Sequence, residues 1–264
     1  MKNNSSNSKI KFNYSLNRNF MICTVITATL MFNFNLLYSS NLLVDVESGL
    51  VNLGYCDVQV PADGGTFFSL TDDFSADNQL FYRIMVIYEL NSRHKFYALI
   101  APLSIKASGS FDDSLIFEKK TFPPQTDIDA WYRFNSYRLS YRYDFYQTSR
   151  ILFGLGVTAK IRDAQIRLKS DSLESVKDNL GFVPLIAFKF SYHFNPQWSF
   201  SIEGDALAAP QGRAEDISAS LSWELNPRFT IRGGYRLLEG GADVEEVYNF
   251  TLLNYGILGF RLKI

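Results

Sequence analysis

Residues 136–145 read Ser136-Tyr137-Arg138-Leu139-Ser140-Tyr141-Arg142-Tyr143-Asp144-Phe145. The odd positions are aromatic or aliphatic, and the even positions are Ser, Arg or Asp. A period of two is the signature of a β-strand, whose successive side chains point to opposite faces. The same count runs outward along the chain. Phe182, Pro184, Ile186, Phe188, Phe190, Tyr192 and Phe194 alternate with a second set that includes Lys189, Ser191 and His193. Trp198, Phe200, Ile202 and Gly204 oppose Ser199, Ser201, Glu203 and Asp205, and Ile217 to Leu225 oppose Ser218, Ser220, Ser222 and Glu224. Residues 151–162 and 229–236 follow the same rule.

A soluble sandwich alternates too, so the decision rests on which face carries the large groups. Here the apolar face is dominated by Phe, Tyr and Trp near the strand ends, and the polar face mixes small residues with arginines and acids. That inside-out arrangement, on strands of ten or more residues, predicts a transmembrane antiparallel β-barrel. Closure is required because an unpaired sheet edge in hydrocarbon leaves backbone donors and acceptors unsatisfied. Composition agrees. Of 264 residues, 47% are hydrophobic and 16% aromatic, yet 20% are charged, so apolar groups are interspersed with polar ones. A helical membrane bundle needs runs of about 20 apolar residues, and disorder lacks aromatics. A formal net charge of −1 gives no electrostatic case for nucleic acid.

The connections alternate in length. Short ones fall at residues 91–94, 147–149, 195–197 and 226–227; longer polar ones are expected at 58–78, 108–128, 169–179, 208–215 and 239–248. Short periplasmic turns and long external loops are the asymmetry of outer-membrane barrels. Ten strands are predicted, at about 48–57, 79–90, 95–107, 130–146, 150–168, 180–194, 198–208, 214–225, 228–238 and 249–263, with both termini periplasmic. The first alternates poorly. If it and the segment through Asp77 instead fill the lumen or pack outside, the barrel closes with eight.

The amino end reads as an address. Lys2, Lys9, Lys11 and Arg18 precede an apolar run from Phe20 to Phe32, trailing to Ser39-Ser40. This predicts a signal peptide over residues 1–40 and one barrel domain over 41–264. Cys23 leaves with the signal, and Ile22 before it argues against lipidation. Cys56 is then the one thiol of the mature chain, expected as a packed apolar residue.

Leu258, Phe260, Leu262 and Ile264 alternate to the last residue, with Gly259 among them. This resembles the assembly signal that ends bacterial outer-membrane barrel proteins, which finish on an aromatic where this chain has Ile264. The resemblance implies a Gram-negative outer-membrane location, insertion by the assembly machinery, and outer-membrane lipids and lipopolysaccharide as partners.

Polar parity places Arg83, Glu89, Arg138, Arg142, Asp144, Lys160, Arg162, Lys189, Glu203, Asp205, Glu224, Arg232 and Arg236 in the lumen. An isolated buried charge is costly, so these are expected to form an ion-pair network that fills the barrel. A narrow pathway lined by the same charges is the alternative. Enzymes on this architecture rely on a His near the outer rim. His94 lies in a predicted periplasmic turn and His193 near the periplasmic end of its strand, so neither fits. Glu203 and Asp205 are about 7 Å apart on one face, a pair better suited to ion pairing than to acid and base work. Two groups of loop acids, Asp72, Asp73 and Asp77, and Asp243, Glu245 and Glu246, do not have calcium-loop spacing. No glycine-rich phosphate cradle, nucleophile elbow or Cys/His metal spacing is present. No cofactor, metal or catalytic residue is therefore expected. The role predicted is structural or surface-interacting; a solute channel and a lipid-modifying enzyme are the alternatives.

Overall fold

The computed structural model describes residues 41–210 and 212–264. The predicted signal segment, residues 1–40, lies outside them. The described chain is all-β. In order the strands are β1 (Leu42–Gln59), β2 (Phe68–Ser69), β3 (Phe74–Ala76), β4 (Gln79–Glu89), β5 (His94–Ala101), β6 (Ser104–Gly109), β7 (Leu115–Phe117), β8 (Lys120–Phe122), β9 (Ile128–Gln147), β10 (Ile151–Lys169), β11 (Glu174–His193), β12 (Trp198–Ala209), β13 (Gly212–Asn226), β14 (Phe229–Val244) and β15 (Val247–Lys263).

Every long strand pairs antiparallel with its neighbour in sequence, and β15 returns to pair with β1 from Leu43↔Lys263 to Gln59↔Tyr248. With β5 and β6 counted as one interrupted strand, the wall is a closed barrel of ten. Alternation sorts the side chains as the sequence predicts, with water and lipid exchanged. Leu80 is 78% exposed, Phe182 69% and Leu139 68%, whereas Asp216 is 2% exposed and Asp144 fully buried. Large apolar groups thus form an outward belt, and the ion-forming groups point in. At the short-turn end, the belt carries Trp198 stacked on Trp223 at 5.7 Å, with Phe153 against Phe190 at 5.0 Å. These rings have an apolar body and a polarisable edge suited to the membrane interface.

Four differences from the sequence reading have clear causes. β1 is 18 residues long rather than ten. Its inward residues are Asp45, Glu47 and Val51, then Cys56 and Val58, because a bulge between Leu53 and Tyr55 shifts the parity and hides the alternation. The segment after β1 does fill the outer lumen, but in addition to the first strand, not in its place. The loops expected at 169–179, 208–215 and 239–248 are tight hairpins: strand pairing continues to Lys169↔Glu174, Ala209↔Gly212 and Val244↔Val247. These ends stand above the apolar belt, where the outward face meets water rather than lipid, and so lose the polar and apolar contrast while keeping the backbone ladder. Finally, the expected strand over 95–107 breaks at Pro102 and Leu103.

The true long connections are those after β1 and after β6. Their residues fold into the outer mouth, where Phe68, Leu70 and Phe74 meet Leu115, Phe117 and Phe122 of the β7–β8 hairpin. Cys56, Val58, Ile128, Ala130, Ile166 and Leu168 of the wall complete this cluster. Fully burying one such aromatic or aliphatic side chain contributes about 1.5–3 kcal/mol, which holds the cap without any disulfide. Cys56 is buried and free; burial pushes its thiol up to about 12.

Candidate functional site

The lumen has two stories. The outer one is apolar: Val51, Phe81, Leu103, Ile105, Leu238, Leu253 and Tyr255 pack beneath the cap. The inner one is ionic and is built from the inward positions of strands that each supply one or two charges.

At its centre two carboxylates hold four guanidinium groups. Asp216 on β13 accepts from Arg83 at 3.2 Å, from Arg138 at 2.6 Å and from Arg236 at 2.5 Å. Glu47 on β1 faces Arg83 at 3.2 Å, Arg232 at 2.5 Å and Arg236 at 2.9 Å. Arg138 also reaches across the lumen to Asp205 at 2.7 Å, and Asp205 accepts the Thr158 hydroxyl at 2.5 Å. Arg232 donates to Asp45, which also takes Arg261 at 2.8 Å. The connected chain ties β1, β4, β9, β10, β12, β13, β14 and β15 together across the interior. Charges taken from water must be both paired and hydrogen-bonded to be tolerated, and the forked arginine donors do this with planar, directed contacts.

Of the lumen residues read from parity, Arg83, Arg138, Asp205, Arg232 and Arg236 come together in this network. Arg142 and Asp144 form a local pair at 2.8 Å, with Arg142 over the Tyr97 ring at 5.1 Å. Glu203 pairs with Lys189 at 2.6 Å, so the two carboxylates Glu203 and Asp205 serve different cations. Glu89 pairs with Lys95. Arg162 stands higher, donating to Asn179 at 2.6 Å. Glu224 is exposed near the short turns. Lys160 is 3% exposed and lies over Phe134 at 4.8 Å.

Sequence reading missed Asp45, Glu47, Asp216 and Arg261. Asp216 was legible, since it lies within the expected strand over 214–225 and shares parity with Ser218, Ser220 and Ser222. Asp45 and Glu47 preceded the start assigned to the first strand.

Two cavities lie within the ionic layer and between it and the short turns. One of about 90 Å³ lies among Glu47, Arg138, Arg142 and Asp205. A vestibule of about 210 Å³ faces the short turns and is lined by Ser191, Ser199, Ser201, Ser220, Ser222 and His193 among others. His94 shares a 2.8 Å hydrogen bond with Tyr141 at the same end. Among the described residues no group of three His, Cys, Asp or Glu is placed to hold a metal ion.

Above the belt, Arg213 donates two hydrogen bonds of 2.7 Å to Glu239, and Tyr55 donates a third. Burial pushes the Glu239 carboxyl up, but the donors from Arg213 and Tyr55 outweigh it and hold Glu239 below the usual carboxylate range. Tyr55 is pushed up to about 12 by burial and by the Glu239 acceptor.

This architecture, a closed ten-stranded barrel with an apolar outer belt and an ionic core, is that of a small bacterial outer-membrane β-barrel protein. Of the following three solved structures, the first shares the fold at a TM-score above 0.5. The outer membrane protease OmpT from Escherichia coli superposes with a TM-score of 0.54 at 10% identity, covering 85% of this chain and 97% of that one. Neisserial surface protein A scores 0.34 at 15% identity, covering 86% and 98%. The Pseudomonas putida toluene transporter TodX scores 0.34 at 10% identity, covering 90% and 92%. At these identities the likeness concerns fold alone. No protein-family model matches the chain, and no curated protein matches it in sequence. The chain is an outer-membrane barrel protein, located in the bacterial outer membrane.

Proposed function

We propose that the protein is a closed barrel that acts through its external cap and strand extensions rather than by conducting through the lumen. The observation that carries this reading is the two-story filling: Phe68, Phe117 and Phe122, all fully buried, stand over an ion-pair network that crosses the interior. A solute crossing would have to displace both. The external surface is correspondingly built up. β9, β10 and β11 run to 19 or 20 residues, about twice the length that spans a bilayer. There Trp131 is flanked by Lys106 at 5.4 Å and Arg167 at 4.7 Å. Lipopolysaccharide and other outer-leaflet lipids surround the belt beneath, and insertion relies on the outer-membrane assembly machinery.

The alternative reading, a narrow pathway for small solutes, draws on the serine-lined vestibule, which leads from the short-turn end to the ionic layer. Planar-bilayer recording separates the two. Mature protein, shown folded by heat-modifiable migration, is expected to leave the membrane silent, as is Arg138→Glu. Discrete conductance steps whose ion selectivity shifts in Arg138→Glu would make the lumen the functional site and overturn the closed-barrel reading.

A further inference from the structure

The vestibule of about 210 Å³ has the ionic layer as its floor: Tyr97, Arg142, Glu203 and Arg232 line it and the smaller cavity alike. Its mouth opens toward the short turns, the end that faces the periplasm in outer-membrane barrels. Five cations reach it: Lys95, Arg142, Lys189, Arg232 and Arg261. Lys95 has Glu89, Arg142 has Asp144 and Lys189 has Glu203. Arg232 and Arg261 share Asp45. Glu47, which Arg232 also meets, is taken up by Arg83 and Arg236 as well. The remaining lining acid, Glu224, is exposed at the mouth and makes no ion pair among the described residues. The vestibule is thus one carboxylate short, and a charge held away from water needs a partner.

Hydrogen-bond donors are left over at the same place. Arg261 reaches Asp45 through its Nε at 2.8 Å, and among the described residues neither of its Nη groups has an acceptor. Arg142 gives Nε and one Nη to Asp144, which leaves its other Nη without one. The Tyr97 ring lies against this guanidinium at 5.1 Å, and its hydroxyl has no partner among the described residues. The wall beside Arg261 is hydroxylic. Thr230 stands opposite Arg261 in register, and Ser222 stands between Ser199 and Arg232. Among the described residues the hydroxyls of Ser199, Ser220, Ser222 and Thr230 make no hydrogen bond, and none of them is sealed from the cavity. Across the vestibule, Met85 and Ile87 of β4 and Leu152 of β10 present carbon.

We propose that the vestibule binds a small polyhydroxylated carboxylate, a sugar acid taken from the periplasm. Its carboxylate occupies the open Arg261 fork and the free Nη of Arg142, the planar charge-assisted contact that arginine favours. Its hydroxyls meet Ser199, Ser220, Ser222 and Thr230, and the C–H face of its ring lies against Met85 and Ile87. The bound carboxylate supplies the charge that the vestibule lacks. An inorganic anion would leave the hydroxyl wall unused, and a neutral sugar would leave the arginines unused.

The test is isothermal titration calorimetry on the folded barrel in detergent, with folding checked by heat-modifiable migration. The probes are galacturonate, galactose and hexanoate, so that the acid and the hydroxyls are presented together and then separately. The wild type is expected to bind galacturonate saturably, and about tenfold or more tightly than either other probe. Arg261→Gln should weaken galacturonate about tenfold, the value of one charge-assisted hydrogen bond. Ser222→Leu, which fills the hydroxyl wall and leaves every charge in place, should abolish its binding and carries the test alone if Arg261→Gln does not fold. Absence of saturable galacturonate binding to the wild type overturns the proposal. So does hexanoate or galactose bound as tightly as galacturonate, or galacturonate binding that Ser222→Leu leaves intact. Binding is read here without a bilayer, so this site and the closed-barrel reading fail separately.

Discussion

Asp216 shows what a single carboxylate can carry. It is 2% exposed and meets Arg83, Arg138 and Arg236 at 2.5–3.2 Å. The three arginines come from three different strands, so the residue is a junction as well as a counter-ion. Asp216→Asn preserves the shape and leaves those guanidinium groups under-neutralised in a dry interior. Loss of one partner of a buried ion pair costs about 3–5 kcal/mol, and the midpoint of urea unfolding from lipid vesicles should fall accordingly. A change below about 1 kcal/mol would mean that Asp216 behaves as a solvated surface charge.

At the scale of elements, the strands outlast the membrane. Above the belt, Tyr55 of β1, Arg213 of β13 and Glu239 of β14 are joined by side-chain hydrogen bonds rather than by the lipid around them. The Glu239 carboxyl is held below its ordinary range there, so its stabilising contribution is fully present above the unfolded carboxylate value of about 4.3. It is lost as pH falls through the lowered folded value. In Glu239→Gln that part of the pH dependence should disappear, so the unfolding midpoints of variant and wild type should converge on acidification. Parallel curves at all pH values would remove Glu239 from the acid response. The same extensions explain why three hairpins read as loops: without lipid on one side, neighbours such as Asp178 and Asn179 are both polar and exposed and do not alternate, and backbone pairing leaves no mark in composition.

For the whole molecule, the decisive event is closure between β1 and β15. Gly49, with φ at +147°, sits in that seam, and a Cβ added there would lie 2.0 Å from the Gly256 carbonyl oxygen. Such a backbone conformation costs a residue with a side chain about 1–3 kcal/mol, before the clash is counted. Gly49→Val should therefore lower the heat-modifiable fraction after refolding, and an undiminished folded fraction would show that the seam tolerates a side chain. Much of this molecule was legible in its sequence: the all-β class, the ten strands, the inverted faces and most of the inward charges follow from a period of two, because a strand in a barrel wall has one neighbour medium on each side. Where the alternation is unbroken, as over residues 136–145 and 217–225, the sequence alone determined which residues face lipid and which face inward. Tertiary structure decided the rest: that Glu47 and Asp216 are the shared counter-ions, that the segment after β1 caps the lumen, and that the ladder opens beside Pro102. Those features depend on which strands stand opposite one another across the interior, and on where a bulge or a proline shifts the register. Both are long-range relations that a local alternation of side chains cannot encode.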